Sequence, residues 1–439
     1  MAVNVDICIR GGGIVGKTLA LLLSRLQLRV ALVDTDNKAG NFLNLPNHHI
    51  ATKGVAAQSE SKDACTAKVT DIRAYALNAK SKSLLESVHA WPEDAFCTEV
   101  KQIRVHSDEG ELIEFAKQAH SPEGANALTW IVEVSALEAE LERQLTKAVD
   151  ANLIQRSFDS GAVSQDHPLG VINAPLTVIC EGTQSTAKQK LDTSTKRIAY
   201  GQIALATHVK FKNPQHKHFG IAHQWFNTLE NTPSTPASHA HPELEILALL
   251  PIGGREGDTF AVVWSASASR CKLLKELSDD EFTDAICKSS RGLFADLVPI
   301  ADRQSWPLAL SSVDAWCGVF NQSQSWVLCG DSAHSVHPLS GMGLNLGLGD
   351  VGALFHLLQS RELSKSSWRP LSDLRLLRSY ERERKLAIYP YVQFIDKIQL
   401  LFASDYPVAR FFRNKGFKAF NALGSLKEWT IKKAMQANY

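Results

Sequence analysis

The chain has 439 residues, enough for two domains that share an interface. Hydrophobic residues make up 44% and charged residues 21%, a soluble globular balance, and the formal net charge of +1 gives no global reason to expect nucleic acid as a partner. The eight cysteines form no C-x-x-C pair, which argues against a zinc site or a disulfide framework and fits a reducing, cytoplasmic compartment.

In chain order, Val3 to Ile9 reads as a buried strand, Ile14 to Leu26 as a helix, and Arg29 to Val33 as a second strand ending at Asp34. This is a βαβ unit. The apolar stretch Leu19–Leu23 is short, flanked by Lys17 and Arg25, and follows a glycine turn. It therefore reads as a buried helix and not as a signal peptide. No uninterrupted apolar run approaches bilayer length. Residues 36–68 are polar and read as a long loop or insertion. Thr70 to Glu86 reads as a helix carrying Arg73. Val100–Val105 and Glu111–Phe115, joined at Ser107-Asp108-Glu109-Gly110, read as a hairpin. Val134 to Val149 is an amphipathic helix with Leu137, Leu141 and Leu145 on one stripe.

Leu176 to Cys180 reads as a buried strand running into Glu181-Gly182. From Ile198 to Phe211 and from Leu244 to Trp264 the period is near two, with many β-branched residues. These segments predict a second, mostly antiparallel sheet. Between them, Asn227 to Pro242 is a surface loop whose His239 and His241 are weak metal candidates. Trp326 to Cys329 is a further buried strand, Gly343 to Leu358 a helix, and the chain from Leu371 onward is almost wholly helical.

Two glycine-rich motifs stand at opposite ends. In the first, Gly11-Gly12-Gly13-Ile14-Val15-Gly16, Gly11 allows the tight turn, Gly13 lets backbone approach a pyrophosphate, and Gly16 lets helix and strand pack closely. The phosphate then meets the N–H groups and positive dipole of a helix start. Asp34 stands close to the spacing of roughly 20 residues expected for a ribose-binding carboxylate. A tight structural turn is the alternative reading of the glycines. Arg10 is an oddity, because a small apolar residue suits the end of a buried strand.

The second motif runs Gly330-Asp331-Ser332-Ala333-His334, then Pro338, then Gly341-Met342-Gly343-Leu344-Asn345-Leu346-Gly347. Asp331 can accept hydrogen bonds from ribityl or ribose hydroxyls. Gly341 and Gly343 admit backbone beside a flat ring, the helix start near Gly343 stabilises negative charge on it, and Pro338 stiffens the loop. The spacing of His334 and His337 recurs by chance, and no third ligand is evident, so packing or hydrogen-bonding roles are expected and no metal site. Two cradles suit a long, two-ended cofactor better than a mononucleotide, and FAD is the leading candidate.

These residues resemble the flavoprotein aromatic hydroxylases with the p-hydroxybenzoate-hydroxylase fold, and within them the ubiquinone-biosynthesis hydroxylases of the UbiH/UbiF type. Asp71-Ile72-Arg73-Ala74-Tyr75-Ala76-Leu77-Asn78 is similar to the family's D-x-R-x-x-A-L-S. Tyr200-Gly201-Gln202-Ile203-Ala204 resembles its Y-G-Q-x-A strand, Trp306-Pro307-Leu308 its F-P-L, and Tyr380-Glu381-Arg382-Glu383-Arg384-Lys385 its Y-E-R-x-R-K helix. The resemblance implies an α/β fold: a Rossmann-like FAD/NAD(P)-binding domain formed by 1–88, 128–195 and 305–365, with an inserted, mostly antiparallel substrate domain of 89–127 and 196–304. A helical C-terminal region, 366–439, follows.

The resemblance further implies non-covalent FAD, reduction by NAD(P)H or another donor, and O₂ as co-substrate. Oxygen adds at flavin C(4a) to give a hydroperoxide, which hydroxylates the ring of a polyprenylated phenol. Since the flavin carries the chemistry, no catalytic side chain is assigned, with Arg73 and Pro338 the candidates beside the ring. A helix-surface ion pair is the alternative for Arg73. Gly11, Gly13, Ile14, Val15, Gly16, Asp34, Glu181, Gly182, Gly330, Asp331, Gly341, Met342, Gly343, Leu344 and Asn345 would complete the cofactor site.

Three positions depart from the family pattern. In its A-D-G-x-x-S-x-x-R motif, Glu181 replaces Asp and Lys188 replaces Arg, and in its G-Q-G-x-N-x-G motif Met342 replaces Gln. A reductase or halogenase on the same fold, or a flavin-binding scaffold without turnover, are the competing functions. The W-x-W-x-I-P segment of halogenases is absent. Residues 408–439 carry Arg410, Arg413, Lys415, Lys418, Lys427, Lys432 and Lys433 between Phe411, Phe412, Phe417, Phe420 and Trp429. This basic amphipathic pattern suits docking at the inner face of a membrane, packing on the flavin domain, or contact with other ubiquinone-biosynthesis proteins or a second copy of the chain.

Overall fold

The computed structural model describes residues 3–34, 71–108, 110–116, 127–158, 172–183, 185, 187–213, 218–229, 243–336, 341–364 and 368–403. The expectations for 36–68, His239, His241, His337, Pro338 and the tail 408–439 lie outside these residues.

The first layer is a six-stranded sheet, order β18-β19-β11-β2-β3-β9. Its strands are β2 (Ile7–Arg10), β3 (Val30–Asp34), β9 (Ile154–Phe158), β11 (Leu176–Ile179), β18 (Cys317–Val319) and β19 (Ser325–Leu328). All pairs are parallel except β18 with β19. The expected first strand is split: β1 (Val3–Asn4) leaves the sheet to pair with β10 (Ile172–Asn173). The βαβ unit forms as the sequence predicts, with helix α1 (Ile14–Leu23) closing in a short 3₁₀ turn, Ser24–Leu26. Ile7 and Ile9 face the helices, while Cys8 joins Ala31 and Val33 on the other face. That alternation is the period of a strand buried on both sides. Helix α1 is buried from Gly16 to Leu23, so its leucine run is core.

Helix α3 (Val134–Asp150) buries Leu137, Leu141 and Leu145 as its stripe predicts. Helices α6 (Gly343–Leu363) and α7 (Leu374–Ala403) complete the layer. Tyr380, fully buried on α7, donates its hydroxyl to the Leu328 carbonyl (3.1 Å). Glu381 accepts from the Trp316 N–H (3.0 Å) and from Lys385 (2.6 Å), so the Tyr380–Lys385 motif is the seam that fixes α7 to the end of the sheet.

The second sheet has nine strands: order β20-β17-β12-β15-β14-β13-β6-β7, with β16 beside β12. They are β6 (Gln102–His106), β7 (Leu112–Ala116), β12 (Thr195–Phe211), β13 (Ile221–Leu229), β14 (Glu243–Ile252), β15 (Thr259–Ser267), β16 (Leu297–Pro299), β17 (Gln304–Val313) and β20 (His334–Ser335). It is antiparallel except where β13 meets β6. The predicted hairpin is β6–β7, with Gln102 opposite Ala116. One face carries Leu205, Trp225, Leu247 and Val262 against α4 (Ala268–Glu276) and α5 (Asp279–Ser289). The other face sets Ala222, Ala261 and Ile252 against a three-stranded sheet, β4-β8-β5, which bridges to the cofactor layer.

That small sheet corrects one expectation. The segment from Asp71 is not a continuous helix. It is β4 (Ala74–Leu77), paired with β8 (Thr129–Glu133), which also pairs with β5 (Cys97–Val100). Helix α2 (Ala79–Ser87) begins only after Asn78, whose side chain caps it by accepting from the Ser81 N–H (2.9 Å). Within β4, Ala74 and Ala76 face the larger sheet while Tyr75 and Leu77 face the cofactor layer, and that two-sided burial outweighs the helix preference of alanine and leucine.

Candidate cofactor site

The C-terminal ends of β2, β3, β11 and β19 converge on one edge of the six-stranded sheet, where open parallel sheets hold dinucleotides. Gly11 turns the chain at φ 109°, and a methyl group added there would lie 2.5 Å from the Cys180 carbonyl oxygen. One added at Gly16 would overlap the Gly11 carbonyl. At Gly13 nothing lies within 4 Å, so the backbone before α1 is open to a ligand. Sequence reasoning missed Gly12: a side chain there would collide with the Asp34 carboxylate, which packs directly on it.

The same residues also satisfy the phosphate-loop pattern G-x-x-x-x-G-K-[ST]. The structure rules that use out. Lys17 is buried and its ammonium lies 2.8 Å from Glu142 on α3, while the Thr18 hydroxyl donates to the Ile14 carbonyl (2.7 Å).

The two glycine motifs meet. Val15, near the start of α1, packs its methyls against Gly330 and Gly347, where an added methyl group would lie 3.3 Å and 3.0 Å away. Gly330 has φ 65° and donates its N–H to Asp350 Oδ2 (2.8 Å). Asp350, fully buried on α6, also takes His334 Nε2 (2.7 Å) and Arg384 Nε of α7 (2.8 Å). A carboxylate only accepts, so His334 Nε2 carries the proton. Burial opposes charge on Asp350, but His334 and Arg384 outweigh it and hold the carboxyl below its ordinary value. His334 thus has the hydrogen-bonding role that was one of the two expected of it. Among the described residues no cluster of His, Cys, Asp and Glu is arranged to hold a metal.

Asp331 behaves differently from its neighbour Asp350. Solvent reaches it, yet protein walls surround it, and that crowding pushes its carboxyl upward; His334, Arg73 and Lys188 pull the other way. It therefore lies in a concave cleft. Arg73 grips Asp71 through Nε (2.9 Å) and Nη2 (2.5 Å), and its Nη1 lies 3.4 Å from the Tyr75 hydroxyl. His208 of β12 donates from Nε2 to the Ile72 carbonyl (2.8 Å), tying the larger sheet to this segment. The Lys188 ammonium is buried and without a hydrogen-bond partner among the described residues; burial and Arg197 lower its pKa, and Asp331 opposes them. A partnerless buried cation in a walled cleft is a cost unless an anion completes it.

Glu181 and Arg10 explain each other. They end adjacent strands and form a buried ion pair, Arg10 Nε to Glu181 Oε1 at 2.9 Å, with side chains 5% and 3% exposed. The second Glu181 oxygen accepts from the Ser185 hydroxyl (2.8 Å) and the Ala187 N–H (3.0 Å). Glu181 thus orders the loop beside the cleft, while Gly182 (φ 80°) donates its N–H to the Ser332 hydroxyl (3.0 Å).

At the start of α6, Gly341 has φ 62°, and an added methyl group would lie 3.2 Å from the Ala76 Cβ. Gly343 has nothing within 4 Å of its open side. Asn345 is fully buried: its Oδ1 accepts from the Asn78 N–H (2.9 Å) and the Ser81 hydroxyl (2.8 Å), and its Nδ2 donates to the Ala76 carbonyl (2.7 Å). Its side chain therefore locks α6 to β4 and α2. Met342 is buried, with its sulfur 3.8 Å from Asn345 Nδ2. The helix geometry leaves the N–H groups of Gly343, Leu344 and Asn345 as the first-turn donors, and Leu346 is the first to bond back, to the Met342 carbonyl.

This donor set fits FAD. Two helix starts and an open glycine suit a pyrophosphate and a flat ring, and the ammonium of Lys188 suits an anion. Grooves of about 580 Å³ between α1, α2 and α6, and about 540 Å³ beside α4 and α5, lie away from it.

Comparison with known proteins agrees. Among curated proteins, a ubiquinone hydroxylase, UbiL, of Rhodospirillum rubrum is 24% identical over 98% of this chain and 89% of its own length. The 3-demethoxyubiquinol 3-hydroxylase of Escherichia coli is 24% identical over 98% of both chains. The p-nitrophenol 4-monooxygenase PnpA of Pseudomonas putida shares the fold, with TM-score 0.66 over 99% of both chains at 14% identity. Residues 136–394 match the family described as the FAD binding domain, and the chain belongs to that family.

Proposed function

We propose that this chain is an FAD-dependent monooxygenase that hydroxylates the aromatic ring of a polyprenylated phenol precursor in ubiquinone biosynthesis. The observation that carries this reading is the contact of Val15 with Gly330 and Gly347, which joins the two cradles at one cleft. Relatives over nearly the whole length are named as ubiquinone hydroxylases, which supports the substrate class.

Bound FAD, reduced by NAD(P)H and meeting O₂, would supply the oxygenating chemistry. The protein's share is placement. Gly11, Gly13, Ile14, Val15 and Gly16 would present the pyrophosphate cradle, and Asp34 would take the adenosine ribose. Gly330 and Asp331 would hold the ribityl chain, while Arg73, Pro338, Gly341, Met342 and the first-turn N–H groups of Gly343, Leu344 and Asn345 would lie beside the ring. Glu181 and Gly182 would shape the cleft wall. In this reading 1–88, 128–195 and 305–365 form the cofactor domain, 89–127 and 196–304 the substrate domain, and 366–439 a helical region. Among the described residues no helix is long and apolar enough to cross a membrane. The basic amphipathic segment 408–439 would bring the enzyme to a membrane surface holding its lipid substrate.

The test is lipid analysis of a strain lacking the gene. Accumulation of a quinone precursor short of one ring hydroxyl, relieved by the wild-type chain, supports the reading and names the carbon. Unchanged quinone content contradicts it.

A further inference from the structure

Behind the adenosine end of the cleft lies a row of alternating charges from four different elements. Lys17 of α1 meets Glu142 Oε2 of α3 at 2.8 Å. Glu142 also binds the guanidinium of Arg156 on β9, through Oε1 to Nη1 and through Oε2 to Nη2 at 3.4 Å. Arg156 Nη2 lies 3.6 Å from Asp34 Oδ2 at the end of β3. The side chains of Lys17, Glu142, Arg156 and Asp34 are 6%, 16%, 14% and 16% exposed. Burial opposes charge on Glu142, but Arg156 and Lys17 outweigh it and hold the carboxyl below its ordinary value. The row pairs two cationic with two anionic side chains, so its formal charges cancel.

Its geometry has a direction. Lys17 follows Gly16, the last glycine of the first cradle, while Asp34 packs on Gly12, inside that cradle. Arg156 and Glu142 close the path between the two behind the loop. A carboxylate held next to a diphosphate would be repelled by it, and a guanidinium 3.6 Å from that carboxylate offsets the repulsion.

We propose that Arg156 is a positioning residue for the adenosine half of the dinucleotide: backed by Glu142 and Lys17, it fixes the Asp34 carboxylate on Gly12, facing the ribose hydroxyls. This rests on the FAD reading above and assigns a part to residues outside both glycine motifs. The part assigned to Arg156 is exerted through Asp34, 3.6 Å away. Its proposed contribution is pre-organisation, which raises affinity by removing an ordering cost from binding.

The experiment titrates the full-length flavin-free protein with FAD and, separately, with FMN, which lacks the adenosine half, following flavin fluorescence. Arg156→Leu is expected to raise the FAD Kd by about tenfold or more while leaving the FMN Kd within about twofold. Arg156→Lys restores part of the FAD affinity. Glu142→Gln shows the same selective loss, and the double variant Glu142→Gln/Arg156→Leu loses less than the sum, because the two act as one unit. Urea midpoints of the flavin-free variants report general destabilisation, and if Arg156→Leu does not fold, Arg156→Lys and Glu142→Gln carry the test. An unchanged FAD Kd, or equal losses for FAD and FMN, overturns the proposal. Wild-type protein that takes up neither flavin overturns the functional reading itself, and this proposal with it.

Discussion

The two large sheets differ in the polar groups they bury, although the nine-stranded sheet also holds a buried carboxylate, Glu245, paired with Arg270 at 2.6 Å. Around the six-stranded sheet, charged groups are buried in matched sets: Arg10 with Glu181, Arg384 with Asp350 (which also accepts from His334), Lys17 and Arg156 with Glu142. In the nine-stranded sheet, imidazoles are buried among aromatic rings. His106 and His223 face each other at 3.4 Å, His223 stacks with Trp225 and lies edge-on to Phe294, and His223 Nε2 is buried without a hydrogen-bond partner among the described residues. The difference teaches which region is shaped for an ionic ligand. Matched charges hold fixed directions at the strand ends, and Lys188, the buried ammonium without a hydrogen-bond partner among the described residues, lies near Asp331. The histidine layer sits on the face covered by α4 and α5, on the side away from the small bridging sheet, and is held together as an apolar core would be.

The comparison breaks most visibly at Asp350. Replacing it by alanine leaves Arg384 buried and uncompensated, and the expected loss is about 3–5 kcal/mol in urea unfolding. A loss below about 1 kcal/mol would show that water or relaxation rescues Arg384 and that the matched sets do not differ from surface pairs.

Lys188 sharpens the comparison from the other side. Lys188→Met removes a cation that lacks a partner, so the flavin-free protein should unfold at the same or a higher urea concentration. Its FAD Kd should nevertheless rise by about tenfold, because the anion that completes the cleft loses its counter-charge. Calorimetric titration reads both. A variant that loses stability and keeps its FAD affinity would make Lys188 structural.

The remaining test is the pH response of the histidine layer. Burial lowers His106 to about 4 and His223 to about 3; His218, Arg104 and Arg291 add to the effect. A histidine whose folded pKa is depressed contributes stability that is full above its unfolded value, near 6.5, and declines as pH falls toward the folded one. Unfolding midpoints should therefore drop between about pH 6.5 and 4. His106→Phe should flatten that slope, and an unchanged slope would place the titration elsewhere.

Much of this site was legible in the sequence because its signals are local. Glycine spacing, a buried apolar strand on each side, and the acid ending β3 all lie within short windows. The stripe of α3 and the Tyr380–Lys385 motif were legible for the same reason. What was not legible depends on partners far apart in the chain. Arg10 looked anomalous until Glu181, 171 residues away, was seen beside it, and two apparent departures became one ion pair. Glu181 has the length to reach across from the next strand. Gly12 received no role from the sequence because the carboxylate that excludes a side chain there comes from β3. Arg156 lies in a strand whose sequence carries no motif. The segment 71–86 was misread because its alanines and leucines favour a helix, while its burial on two faces makes a strand first. Asn345 was expected among the cofactor-binding residues; its side chain fastens α6 to Asn78, Ser81 and Ala76, a role no local signal in the sequence announces.

The most direct measurement is the visible spectrum of the purified chain after incubation with FAD and removal of free flavin. Joined cradles predict a yellow protein with equimolar FAD, from which Gly16→Ala, whose added methyl overlaps the Gly11 carbonyl, is largely bleached. A colourless wild-type protein, or one whose flavin content ignores Gly16→Ala, would contradict the account.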